Sequence, residues 1–479
     1  MAETLKEKTA RGLLWAGINS GSTQILSAVI GIFLSRTLSP ADYAVVGMLT
    51  IFTVLAVNIQ DSGFANALIN LRKPTANDYN SVFWFNILTS FVLYAVLFAS
   101  APLIALFFRQ PCLTELSRFL FITFVIASFG ISHNAYLTKN LMNREKAVIS
   151  LSATAVSGIV GITLALAGKG YWSLAWQQVT FNSVTLIGRY WYTAWHPSFR
   201  IDFAPVRRMS GFSYKILVPT VINTLSENVL TFIFGRLYPV KDVGYYAQAR
   251  KWELMAHSFM NMTVSQVAQP VFSEVNEDRE RQRQVFRKML RFTAFVSFPA
   301  LLGLAMVSHE FIVVALTAKW EPAVILLQVL SVSGSFAPFY ILFQNLAISR
   351  GRSDIYLWCN VGQVVLMLAL VIGLHSFGMT VMVVAYAVFY ILWLLVWQRV
   401  ARRLIGLRLA ETLRDILPFF FIAVAVMLAT YYSTLFISSL PLLLGVRIIV
   451  AAALYVGLMK LLKVKMLEES WAYLRKKRH

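Results

Sequence analysis

The 479 residues are 58% apolar and 14% charged, whereas a soluble chain carries about a quarter of its residues as charges, so an ordinary water-soluble fold is excluded. The formal net charge of +21 would suit a nucleic-acid surface, but the basic residues are scattered through short loops between apolar runs and form no continuous phosphate-tracking face. Cys112 and Cys359 are too few for a disulfide framework or a metal cluster and read as packing residues.

A helix needs roughly 20 mostly apolar residues to cross a hydrocarbon core. In chain order this criterion predicts spans near 12–35, 43–69, 81–107, 116–137, 147–167 and 170–190. A second set follows near 214–235, 247–271, 292–316, 323–348, 355–375 and 379–398, and two more near 416–437 and 440–461. Lys6, Lys8 and Arg11 precede the first run, which lacks a small-residue cleavage site and is expected to remain as helix 1. The strands of a membrane barrel would instead alternate over about ten residues. The expected fold class is therefore all-α integral membrane, with about fourteen transmembrane helices.

Cytoplasmic loops collect Lys and Arg. With both termini inside, the even-numbered loops and the two ends hold most of the 43 basic residues. The clusters Arg279 to Arg291, Arg399 to Arg414 and Arg475 to Arg478 then all fall on the inner side. Trp15, Trp84, Trp172, Trp191, Trp252, Trp358 and Trp397 stand near predicted helix ends, where an amphipathic ring favours the membrane interface.

A shift of 200 residues brings Ile32 to Arg36 onto Phe232 to Arg236, and Asp42 onto Asp242. Each copy ends a span, turns through Pro40 or Pro239 and enters the next. An even number of spans separates the copies, so the halves point the same way across the membrane. The expected plan is an N-terminal six-helix lobe over 1–200, a second over 201–400, and two extra helices with a basic tail over 401–479.

Ionisable groups at membrane depth usually face a bundle interior or an aqueous cavity. Helix 7 carries Thr220, Asn223, Glu227 and Thr231 on one face, and helix 8 carries Arg250, Glu253, His257, Asn261 and Ser265. Glu227 is expected to pair with Arg250 or His257. Helix 1 offers Asn19, Thr23 and Ser27, and helix 2 offers Asn58, Asp61 and Asn66, so a hydrated cavity lined by helices 1, 2, 7 and 8 is expected. Arg36, Arg250 and Lys251 would attract a phosphate toward its outer side; Asp61 and Asn66 would line its inner mouth. The competing reading is ordinary interhelical hydrogen bonding, and for Arg36 and Asp42 it is simple capping of a helix turn.

His133, His309 and His375 each stand without a second ligand at metal spacing, so no metal or other cofactor is expected. Gly161 followed by Gly168-Lys169-Gly170 has the wrong spacing for a phosphate loop and lacks its Ser or Thr. No soluble segment is long enough for a separate catalytic domain, and the expectation is a transporter and not an enzyme.

Asp61-Ser-Gly-Phe-Ala-Asn-Ala-Leu-Ile-Asn, Ser81-Val-Phe-Trp-Phe-Asn and Ala101-Pro-Leu-Ile-Ala are followed by Gly244-Tyr-Tyr-Ala-Gln-Ala, Leu316-Thr-Ala-Lys-Trp-Glu-Pro-Ala and Gly351-Arg-Ser-Asp. In order and spacing these segments resemble the polysaccharide flippases of the multidrug/oligosaccharidyl-lipid/polysaccharide exporter superfamily, in particular the colanic-acid and teichuronic-acid exporter type. The resemblance implies two six-helix lobes around a central cavity, a bacterial inner-membrane location, and export of an undecaprenyl-diphosphate-linked repeat unit for O-antigen, capsule or exopolysaccharide. It implies as partners a lipid-linked oligosaccharide and membrane lipid, with polysaccharide assembly proteins as an open option, and no nucleic acid. Relatives of this type often carry an acid five residues before the glycine that ends helix 7; here Leu230 stands there and the acid is Glu227. The alternative readings are a multidrug antiporter of the same superfamily, which would want acidic pockets for cationic drugs, and, ranked below it, a membrane polysaccharide polymerase, which would want a large outer loop.

Overall fold

The computed structural model describes residues 5–61, 63–274 and 278–464. Several side chains within its helices, among them those of Asp61, Asn223, Glu227 and Asn261, lie outside the described set. The described residues form helices joined by short turns, with no strand among them. In order these are α1 (Leu5–Thr37), α2 (Pro40–Asp61), α3 (Phe64–Asn70), α4 (Ala76–Phe108), α5 (Leu113–Ser128), α6 (Ile131–Lys139), α7 (Asn143–Leu166), α8 (Tyr171–Tyr192), α9 (Ala204–Leu237) and α10 (Val240–Glu274). There follow α11 (Arg279–Met306), α12 (Ser308–Phe311), α13 (Ala323–Gly334), α14 (Ala337–Ser349), α15 (Ser353–Gly373), α16 (Met379–Ile405), α17 (Leu409–Ser433) and α18 (Leu440–Leu461).

Each predicted apolar run falls on one of these helices or on a pair of them. Among the described residues nine are long and apolar enough to cross a membrane, and ten if the bent pair α5–α6 is one span. Of the four remaining predicted runs, α8 is diluted by polar residues, whereas α1, α9 and α10 include side chains outside the described residues. In α4 only 22% of the apolar window is buried inside the protein. Leu88, Phe91, Val92, Val96, Leu103 and Leu106 stand exposed on it, a surface that hydrocarbon would solvate and water would not.

The chain separates into two compact units, Met1–Ala247 and Gln248–His479. In the first, α7 packs on α1 and α8, α4 on α5, and α9 on α2, α3 and α4. Phe64, Leu68, Tyr79, Val82, Ala135, Val206 and Met209 form one of its apolar clusters. In the second unit α11 packs on α13 and α17, and α16 on α13, α14 and α15. Its core gathers Phe286, Leu290, Phe298, Phe339, Phe343, Trp397 and Phe419.

Several predicted runs are interrupted, and near three of the interruptions polar side chains from elsewhere donate to backbone carbonyls. The α5–α6 pair bends by 43°, and Arg189 Nη1 donates to the Gly130 carbonyl there (3.3 Å). Between α13 and α14, Ser297 Oγ of α11 donates to the Ser335 carbonyl (2.7 Å). After the α2–α3 break, Lys139 Nζ donates to the carbonyls of Ile69 (2.7 Å) and Leu71 (2.5 Å) at the end of α3. A freed carbonyl facing hydrocarbon would cost several kcal/mol, and at Ser335 the Ser297 hydroxyl meets that cost.

The turns of the 200-residue repeat share their backbone pattern. Leu38 N–H donates to Leu34 O (2.8 Å) and Asp42 N–H to Ser39 O (3.1 Å); Tyr238 N–H donates to Phe234 O (3.0 Å) and Asp242 N–H to Pro239 O (3.0 Å). The two copies also touch. A Cβ placed on Gly47 would lie 3.4 Å from the Ala247 Cβ, its counterpart one repeat later. A Cβ placed on Gly244 would lie 1.9 Å from the Pro40 carbonyl oxygen, so only glycine permits that approach.

The tryptophan reading needs correction. Trp191 and Trp358 are 83% and 70% exposed, as an interfacial ring should be. Trp252 and Trp397 are buried within the protein. Trp252 packs edge-on against Phe311 at 4.9 Å between centroids, and Trp397 belongs to the core of the second unit. A ring near a helix end goes to the interface only when no neighbouring helix covers it.

Candidate functional site

The polar faces expected on helices 1, 2, 7 and 8 correspond to α1, α2, α9 and α10, and each can be followed side chain by side chain where it is described. On α1, Thr23 Oγ1 donates to Asn19 Oδ1 (3.2 Å), one turn apart, and both side chains are half-buried. Ser27, one turn further, is half-buried as well. On α2, Asn58 Nδ2 donates to Thr224 Oγ1 of α9. Thr224 passes its own proton to the Thr220 carbonyl (2.9 Å), and Asn228 Nδ2 donates to the Thr224 carbonyl (2.9 Å).

Thr224 is therefore a residue of α9 that meets α2. It lies one residue beside the predicted stripe of Thr220, Asn223, Glu227 and Thr231. Periodicity places a stripe on a helix to within a residue, and only the partner helix decides which of two adjacent rows is used. Asn66 is exposed on α3. The side chains of Asp61, Asn223, Glu227 and Asn261 lie outside the described residues, and with them the expected pairing of Glu227.

At the end of α1, Arg36 is exposed. The neighbouring Asp42 carboxylate accepts from Ser39 N–H (2.9 Å) and Ser39 Oγ (2.6 Å), closing the turn into α2. On α10, Arg250 Nη1 donates to Glu253 Oε2 at 2.6 Å. Glu253 is 1% exposed, and its seat is carved by Gly334 of α13, where a Cβ would fall 2.3 Å from Glu253 Oε1. His257 lies one turn beyond Glu253 and is half-buried. The second unit thus holds a buried carboxylate–guanidinium pair with a small-residue notch built around it. Glu253 was visible in the helix 8 stripe, but nothing in the sequence ties Gly334 to it.

A second buried pair lies apart from that face. Arg447 Nη1 of α18 donates to Glu310 Oε1 of α12 at 2.7 Å, with exposures of 4% and 6%. Arg447 Nε donates to Thr434 Oγ1 (3.1 Å), and the guanidinium sits 4.6 Å over the Tyr431 ring. At the other end of α17, Arg283 and Arg287 of α11 hold Glu411 (2.5 and 3.4 Å), and Arg287 Nε holds Asp415 (2.7 Å). These two sets of charges tie the last two helices to the second unit.

His133 is buried and stacked on Tyr190 at 3.9 Å between centroids. His309 lies 3.8 Å from Glu310 and 3.7 Å from Glu321. No group of three or more metal-ligating side chains occurs among the described residues.

Helices α1, α2 and α9 of the first unit carry amides and hydroxyls, and α10 carries a seated ion pair. The family model described as "Polysaccharide biosynthesis protein" matches residues 33–325. The chain belongs to the polysaccharide biosynthesis protein family. Among curated members it is similar to the teichuronic acid biosynthesis protein TuaB of Bacillus subtilis (strain 168), 25% identical over 427 residues and covering 88% of each chain. It is also similar to the lipopolysaccharide biosynthesis protein WzxC of Escherichia coli (strain K12), 26% identical over 377 residues, 77% of this chain and 76% of that one. Among solved structures, the lipid II flippase MurJ in an inward closed conformation superposes with a TM-score of 0.71 at 14% identity, covering 94% of this chain and 99% of that one. An inward-facing multidrug resistance transporter of the MATE family superposes at 0.60 and 15% identity, covering 80% and 95%. These likenesses show the fold of this family member to be that of a multi-pass transporter.

Proposed function

We propose that this polysaccharide biosynthesis protein is a flippase that carries an undecaprenyl-diphosphate-linked oligosaccharide from the cytoplasmic to the outer leaflet of the bacterial inner membrane. The observation that carries this reading is the family match over residues 33–325, continued by relatives that share a quarter of their residues with this chain and are named for teichuronic acid and lipopolysaccharide biosynthesis. A diphosphate-sugar head cannot enter hydrocarbon without losing its hydration, so such a protein must offer a wet cleft while the prenyl tail stays in lipid. In the proposal the chain crosses fourteen times in a 6 + 6 + 2 plan with both termini cytoplasmic. The polar faces of α1, α2, α9 and α10 line the cleft, with Asn19, Thr23, Asn66, Asn223 and Asn261 offering amide and hydroxyl groups to sugar. Arg36 and Arg250 draw the diphosphate, Glu253, Glu227 and Asp61 balance their charge, and His257 offers a polar ring on the same face.

A strain lacking the protein is expected to retain complete lipid-linked repeat units on the cytoplasmic side, seen by mass spectrometry of the lipid fraction. Loss of a polymerase would leave single units exported instead, and loss of a multidrug antiporter would leave the glycolipid pool unchanged; either result refutes the proposal. Arg250→Gln and Glu253→Gln are each expected to lower surface polysaccharide at least about tenfold at normal protein levels, because each removes one charge of the pair seated on α10.

A further inference from the structure

At the turn from α16 to α17 the structure holds a cavity of about 470 Å³ lined by Leu395, Val396, Gln398, Arg399, Arg402 and Leu409. Its walls are fixed from behind. Gln398 Nε2 donates to the Leu407 carbonyl (3.1 Å), and Thr412 Oγ1 donates to Gln398 Oε1 (2.9 Å), so the turn is pinned to both helices. The floor is apolar and its rim carries two guanidinium groups. Arg399 and Arg402 are exposed and meet no carboxylate among the described residues, in contrast to Arg283 and Arg287 of α11, which Glu411 and Asp415 neutralise.

The spacing of Leu395, Arg399 and Arg402 puts them on one face of α16. The same face continues away from the turn through the exposed Leu392, Val388, Val384 and Val381. An apolar stripe long enough for an acyl chain therefore ends at two uncompensated cations. The stripe lies on Met379–Ile405 and the cavity at the junction with Leu409–Ser433, two helices long and apolar enough to span, which sets the cations at headgroup depth.

The geometry points to a site for one acidic phospholipid, whose phosphate is held between Arg399 and Arg402 and whose acyl chain lies along the α16 stripe. Basic pockets beside spanning helices on the cytoplasmic side suit such headgroups. The site is separate from the cleft proposed for the saccharide, and its test does not depend on transport.

The full-length protein, purified in mild detergent, is titrated with phosphatidylglycerol or phosphatidylethanolamine of the same acyl composition and the bound lipid is counted by native mass spectrometry. Wild type is expected to prefer phosphatidylglycerol by about tenfold, the contribution of two near-surface cations to an acidic lipid. Arg399→Gln/Arg402→Gln is expected to bind both lipids equally, with an unchanged melting midpoint. Arg352→Gln, which removes an exposed arginine already paired with Asp354, is expected to keep the preference. If the double variant does not fold, each single variant is expected to lose about threefold. An undiminished preference in the variants, an equal loss in Arg352→Gln, or displacement of the phospholipid by an equal concentration of undecaprenyl phosphate would overturn the assignment.

Discussion

Gly244 and Gly47 sit at neighbouring contacts of the two repeat copies, yet they should respond oppositely to the same added methyl group. At Gly244 the new Cβ would meet the Pro40 carbonyl at 1.9 Å, a backbone atom that cannot swing aside. At Gly47 it would meet only the Ala247 methyl at 3.4 Å. Gly244→Ala is therefore expected to destabilise by about 1–3 kcal/mol through overpacking. Gly47→Ala should be neutral or gain up to about 1 kcal/mol from lower backbone entropy in the unfolded chain. Thermal unfolding of the purified variants checks this, and equal midpoints would contradict it. Asp202, in the loop between α8 and α9, accepts from Ala204 N–H (2.9 Å) and Asn77 Nδ2 (2.8 Å). The backbone bond first and the amide second hold its carboxyl below the usual aspartate value. A lowered carboxyl contributes stability above its unfolded pKa and loses it as pH falls through the folded one. Protease cleavage of the loop should accordingly rise only at pH values below the ordinary aspartate range, and Asp202→Asn should abolish that rise.

Helices were legible because a spanning run has to be long and apolar, and this requirement is written in consecutive residues. Their interruptions were not. The run 323–348 reads as continuous, but the structure breaks it at Ser335, and the hydroxyl that accepts the cost belongs to Ser297, on another helix. A window along the chain cannot contain both. The same reason explains Trp397 and Thr224: position along a helix is local, whereas the identity of the covering helix is not. The two C-terminal helices illustrate how charges far apart in sequence become one element. Arg447→Met leaves Glu310 buried with only His309 at 3.8 Å and is expected to cost roughly 3–5 kcal/mol, while Glu310→Gln/Arg447→Met should recover more than half of that. Asp415→Asn removes a partner of the more exposed Arg287 and should cost only about 1 kcal/mol. A double-mutant cycle read by denaturation in detergent measures both, and additive single effects at Glu310 and Arg447 would show that the pair does not anchor α18.

At the scale of the whole molecule, composition excluded a soluble fold and loop charge set an expected topology, but neither names a cargo. The proposed lipid-linked saccharide cargo rests on the family match and the relatives' names, and the polar stripes are the proposed place for it. Of the candidate residues, Arg250 proved to be held by Glu253, whereas Asn58 proved to bind Thr224, a residue outside the predicted stripe. The most direct test is reconstitution of the purified protein in liposomes whose leaflets contain an undecaprenyl-diphosphate-linked oligosaccharide, with the externally accessible fraction read by a membrane-impermeant glycosidase. The glycolipid protected in empty liposomes should become accessible when the protein is present, and should stay protected with Arg250→Gln. Protection equal to that of empty liposomes, with correctly folded protein and an imposed ion gradient or potential of either sign, would contradict the account.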